Sequence, residues 1–73
     1  MDFRAIPNKI AHPVRDELVA LTSLEQQCWM LIDGRTTLNQ LAYFLNIADA
    51  ATLENIITKF QNKDWIRLML FVR

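Results

Sequence analysis

His12 is the one histidine of this chain and Cys28 its one cysteine, which narrows the available chemistry. Nucleophilic catalysis needs a thiol or hydroxyl within reach of a base, and a structural zinc ion needs four nitrogen or sulfur ligands. One His and one Cys supply neither. Cys28 also falls on the inward stripe of a helical pattern, the setting of a buried, inert thiol. His12 stands beside Pro13 in a stretch without periodicity. Asp33, Asp49 and Asp64 fall at the ends of hydrophobic periods, where capping and turn formation account for them. A single glycine, Gly34, leaves no glycine-rich loop for a phosphate. These residues imply no enzyme, no metal site and no cofactor.

What remains is the chemistry of surfaces. Trp29, Met30, Tyr43, Phe44, Met69 and Phe71 lie off the stripes that would build one small core. Aromatic and methionine side chains are enriched where proteins dock. A second set is polar. With Leu53, Ile56, Ile57 and Phe60 inward, the opposite face of the same helix carries Thr52, Asn55, Thr58, Lys59 and Asn62. Asn can pair with adenine, and Thr can touch a phosphate or a thymine methyl. Arg35, Lys63 and Arg67 would then lie against phosphates. Asp49 and Glu54 oppose that role, and the first half of the helix holds no Arg or Lys.

Composition bears on both sets. Eight Lys and Arg balance eight Asp and Glu, whereas DNA-binding modules commonly carry the basic excess that neutralises phosphate. The chain is 52% hydrophobic over 73 residues, enough for one small core with apolar surface left over. No apolar run approaches the roughly 20 residues that span a bilayer. The N-terminus has no secretory pattern, and a lone cysteine fits a reducing compartment. A cytoplasmic protein, or a cytoplasmic domain of a longer one, is expected, with no membrane contact and no small-molecule ligand.

The elements that must hold these surfaces are legible from period and punctuation. Residues 1–12 lack a period and contain Pro7, which predicts an arm or a short edge strand around Phe3 to Ile6. Pro13, Asp16 and Glu17 signal a helix start, and Val14, Leu18 and Leu21 carry it from about 13 to 20. Thr22-Ser23-Leu24-Glu25 is a capping box that opens a helix to Asp33, with Leu24, Cys28, Leu31 and Ile32 inward. Asp33-Gly34 stops it, and Arg35-Thr36 is read as a single strand rung. Thr37 to Gln40 is a second capping box, for a helix buried through Leu38, Leu41, Ala42 and Leu45. Asn46-Ile47 makes a corner that needs a left-handed residue. Asp49 caps a third amphipathic helix reaching about Asn62. From Asp64 the period becomes two. Ile66, Leu68, Leu70 and Val72 share one face, and Trp65, Met69 and Phe71 share the other with Arg67 and Arg73. Such a strand exposes unpaired amides unless the arm, a second copy or another protein pairs with it.

The run from cap to helix, corner, helix and aromatic-led strand resembles the helix-turn-helix core of winged-helix domains, a fold used both for reading DNA and for docking proteins. DGRTTLNQLAYFLNI also resembles a pattern of small bacterial helix-turn-helix modules, including peptide-binding ones that guide modifying enzymes. The resemblance implies an α-rich α+β fold of three to four helices with a short antiparallel sheet, from which this chain is expected to depart in a truncated or absent wing. Residues 1–12 would form the arm and 13–73 the domain. The expected function is a regulatory or adaptor module that docks another protein, or a second copy of itself, through its apolar surface. The alternative is a dimeric DNA-binding transcription regulator.

Overall fold

Thr22, Thr37 and Asp49 each open a helix, as their side chains predict. In the computed structural model, which describes residues 1–70, the hydroxyls of Thr22 and Thr37 accept from the amides of Glu25 and Gln40, and Glu25 and Gln40 reach back. The Asp49 carboxylate accepts from the Ala51 amide at 2.9 Å. The elements run β1 (Ile6–Lys9), α1 (Arg15–Val19), α2 (Ser23–Leu31), α3 (Leu38–Phe44), α4 (Ala50–Asn62) and β2 (Ile66–Met69). The described residues thus form an α+β fold of four helices and a two-stranded antiparallel sheet. Among them, no helix is long and apolar enough to cross a membrane.

Two helices end in the same way. Asn46 (φ 56°) and Asp64 (φ 58°) are left-handed. After α3, the amides of Asn46 and Ile47 donate to the carbonyls of Tyr43 and Ala42; after α4, those of Asp64 and Trp65 donate to Gln61 and Phe60. Each is a Schellman stop, in which a residue tolerant of positive φ lets the chain return onto the last turn. The second stop also places Trp65 against Phe60, with ring centroids 5.7 Å apart.

The arm belongs to the sheet. β1 pairs with β2 in the register Ile6 to Met69, Pro7 to Leu68, Asn8 to Arg67 and Lys9 to Ile66. The strand therefore begins at Ile6 rather than at the expected Phe3. Phe3 and Ala5 do other work: their carbonyls accept from the amides of Asn39 and Leu38, 3.0 Å each. With Gln40 served by Thr37, the first three amides of α3 are all satisfied, two of them by the arm.

The core joins Leu21, Cys28, Trp29, Ile32, Leu38, Leu41, Leu53, Ile56, Ile57, Phe60, Trp65 and Ile66 with Ala5 of the arm. Every predicted inward residue of α4 is buried. Helix α2 differs from expectation. It ends at Leu31, and its buried stripe is Glu25, Cys28, Trp29 and Ile32, with Leu31 36% exposed. Trp29 sits in the core because it fills the space between Phe60 and Trp65, 5.5 Å from each ring. Helix α1 is shorter than expected, and Val14, read as inward, is exposed. Arg35-Thr36 forms no strand rung. The Asp33 carboxylate takes both of their amides, at 2.8 and 2.9 Å, and folds the segment into a turn.

That turn presses Gly34 (φ 79°) onto β1, where a Cβ would lie 2.9 Å from Oδ1 of Asn8. Gly34→Ala should cost about 1–2 kcal/mol for the left-handed backbone, plus a steric part. Urea denaturation should show the steric part recovered, and the backbone part retained, in Gly34→Ala/Asn8→Ala.

Candidate interaction surface

Helices α1, α2 and α3 leave large apolar side chains outside the core. Met30 is 77% exposed, Tyr43 82% and Phe44 60%, with Val19 at 65% on α1. They form one surface. A hollow of about 290 Å³ is lined by Gln27, Met30, Leu31, Phe44 and Leu45. On the other side of Met30, one of about 210 Å³ is lined by Leu18, Val19, Gln26, Trp29 and Met30. Tyr43 continues the patch, edge-on to Phe44 at 5.8 Å. The charge in these linings is nil, their polar members being Gln26 and Gln27.

The local reason for this exposure is helical spacing. Trp29 and Cys28 face inward, so Met30 must project outward one residue further on. Leu41 and Leu38 anchor α3, which turns Tyr43 and Phe44 to its flank. Of the six residues expected at this surface, the structure brings together Met30, Tyr43 and Phe44. Trp29 contributes only an edge to one hollow and is otherwise core. Met69 is 45% exposed on β2, on the sheet position opposite Ile6. Phe71 lies outside the described residues. Val19 and Leu31 join this surface beyond the sequence expectation; a stripe starting at Leu24 puts Leu31 inside, whereas the observed stripe starts at Glu25 and turns Leu31 outward.

The polar set is placed differently. Asn55, Thr58 and Asn62 are exposed along one stripe of α4, and Thr52 is half-buried at its start. Lys59 lies on the same face, but its ammonium is turned toward α2. Its ammonium donates to both carboxylate oxygens of Glu25, at 3.0 and 3.2 Å. Lys63 lies over the Trp65 ring, 5.1 Å from its centroid, and Lys9 lies 4.6 Å over Trp29. Arg35 and Arg67 are exposed. One expected phosphate-facing cation, Lys63, and the groove-facing Lys59 are thus engaged within the protein.

Glu25 is where α2 and α4 meet electrostatically. The Thr22 amide is the main influence holding its carboxyl below the ordinary range; burial opposes this, and Lys59 adds to it. Cys28, one turn on, is pushed up to about 12 by burial and by the Glu25 charge, so its thiol stays protonated at neutral pH. Comparison with protein-family models, curated proteins and solved structures finds no match to this chain.

The sign of the Glu25 shift fixes an acid sensitivity. A carboxyl depressed in the folded state stabilises fully above its unfolded-state pKa, and that contribution is lost as the pH falls through the lower folded value. Asp2 and Asp33, both lowered by hydrogen bonds, act in the same sense. The readout is therefore a difference: thermal melts from pH 7 to pH 2 should show a shallower acid loss in Glu25→Gln than in the parent chain.

Proposed function

We propose that this chain is a non-catalytic, cytoplasmic adaptor or regulatory module of winged-helix-like architecture that docks another protein. The docking surface is the apolar face of α1, α2 and α3. In this reading α3, the Asn46 corner and α4 are the helix-turn-helix, and β1 and β2 are the sheet. One observation carries the functional part: Val19, Met30, Leu31, Phe44 and Tyr43 form a contiguous uncharged surface around two hollows. A patch of this kind on so small a chain is costly to leave in water and marks a site of association. Its partner would present aliphatic or aromatic side chains, with few charges to strand against Gln26 and Gln27.

The alternative, a DNA-binding regulator, rests on Asn55, Thr58 and Asn62. It draws less support, because the cation of that stripe, Lys59, is held by Glu25. The two readings differ in salt dependence, since phosphate contacts weaken steeply with ionic strength and apolar contacts do not.

A photo-crosslinking side chain in place of Tyr43, introduced in the host cell, should capture a discrete protein partner, and one in place of Thr58 should not. With that partner purified, Phe44→Ser or Met30→Ser should each weaken binding by about 2 kcal/mol, roughly thirtyfold, while helical content is unchanged. Salt-sensitive binding to a mixed duplex-DNA pool, abolished by Asn55→Ala, together with no adduct at position 43, would sink the proposal.

A further inference from the structure

The sheet has one protected edge and one open edge, and the register says which is which. Ile10 follows Lys9, and its amide donates to the Trp65 carbonyl at 2.9 Å. That bond continues the ladder by one step and sets its parity. In an antiparallel pair, hydrogen-bonded and non-hydrogen-bonded positions alternate. Asn8 with Arg67 and Ile6 with Met69 are therefore the bonded pairs, and Pro7 with Leu68 and Lys9 with Ile66 are not. Pro7, which has no amide, sits where none is needed.

By the same parity, Pro7 and Lys9 turn their backbone groups away from β2. Pro7 offers no donor there, Gly34 lies against the Asn8 side chain, and in the turn before the strand the carbonyls of Phe3 and Ala5 are bound to α3. The edge of β1 is thus interrupted by a proline and a lysine. On β2, the outward groups belong to Ile66 and Leu68, and among the described residues neither takes part in any turn, loop or cap bond. Exposed strand edges pair unless something blocks them, by charge, proline or cover. The edge of β2 has no proline, and its one charged residue is Arg67.

We infer that the β2 edge pairs antiparallel with β2 of a second copy of this chain, about a twofold axis at Leu68. The choice of occupant follows from self-complementarity. In that register Leu68 meets Leu68, Ile66 meets Leu70, and Arg67 meets Met69 of the other copy. No like charges meet. Centring the pair on Arg67 instead would set two guanidinium groups directly opposite, which is destabilising. The chain's balanced eight positive and eight negative side chains impose no long-range repulsion between copies. Met69 and Leu70, 45% and 53% exposed, lose water on pairing. The product is a four-stranded sheet with the proline-bearing β1 edges outermost. Two short strands bury less than a standard interface, so the association is a reversible, concentration-dependent equilibrium.

The test reads both the association and its register. Arg67 and Met69 fall at a non-bonded position across the axis, where Cα atoms approach to about 4.5 Å, within disulfide range. An equimolar mixture of Arg67→Cys and Met69→Cys chains in a glutathione redox buffer should form the mixed disulfide at least tenfold faster than either variant forms its own. Asn62→Cys sets the background rate, and the parent chain tests whether buried Cys28 stays silent. Sedimentation of the parent chain should show mass rising from 8.5 kDa toward twice that value. Phe44→Ser, on the separate helical surface, should leave both results unchanged. A chain that stays monomeric at about 1 mM, the weak end of specific association, would overturn the inference and leave the edge to a strand of another protein. Mixed trapping no faster than Asn62→Cys, or faster trapping of Arg67→Cys with itself, would overturn it too.

Discussion

Three rings hold this protein together. Trp29 of α2, Phe60 of α4 and Trp65 at the entry to β2 lie 5.5 to 5.7 Å apart, two contacts edge-on and one stacked. Burying an aromatic side chain removes roughly 150–250 Å² from water, about 4–6 kcal/mol of transfer free energy per ring. Among the described residues, no polar contact approaches that. The Glu25–Lys59 pair has a Lys side chain 41% exposed, and ion pairs so open to solvent are screened down to a small contribution. It orients α2 on α4, whereas the rings supply the cohesion. The ammonium groups of Lys9 and Lys63 lie over the two indoles, 4.6 and 5.1 Å from the ring centroids, as cation–π contacts.

The second constraint is the backbone accounting at the start of α3. A helix N-terminus must find partners for its first amides, and here the arm provides two of them. The same arm then becomes β1 and pairs with β2. Residues at one end of the sequence thus cap an internal helix and close the sheet at the other end. The two edges differ, because Pro7 interrupts the donors of β1 and nothing comparable interrupts β2.

Both surfaces argued to bind are consequences of that economy. A chain of 73 residues has one small core, and the aromatic cluster fills it. Met30, Phe44 and Tyr43 then have no interior to occupy. They gather on the helical side, and the open strand edge is left on the sheet side. Cys28, buried and with its thiol raised, is packing material.

The sequence alone determined whatever depends on neighbours within about five residues. Thr22, Thr37 and Asp49 as caps, Asn46 as a left-handed corner and the inward stripe of α4 were all legible, because a cap or a period is written in consecutive positions. The break after Asp33-Gly34 was legible for the same reason, although the turn that replaced the expected strand rung was not. Tertiary structure decided what depends on distant partners. Whether Trp29 is surface or core turns on Phe60 and Trp65, more than thirty positions away. The burial of Glu25 turns on Lys59, 34 residues on, and without that partner a carboxylate on an inward stripe reads as solvated. Which strand completes the sheet, and which of its edges stays open, follows from a register between the two ends of the chain. Local sequence made that strand need a partner; only folding brought the arm to it, and only the ladder's parity left Ile66 and Leu68 facing outward.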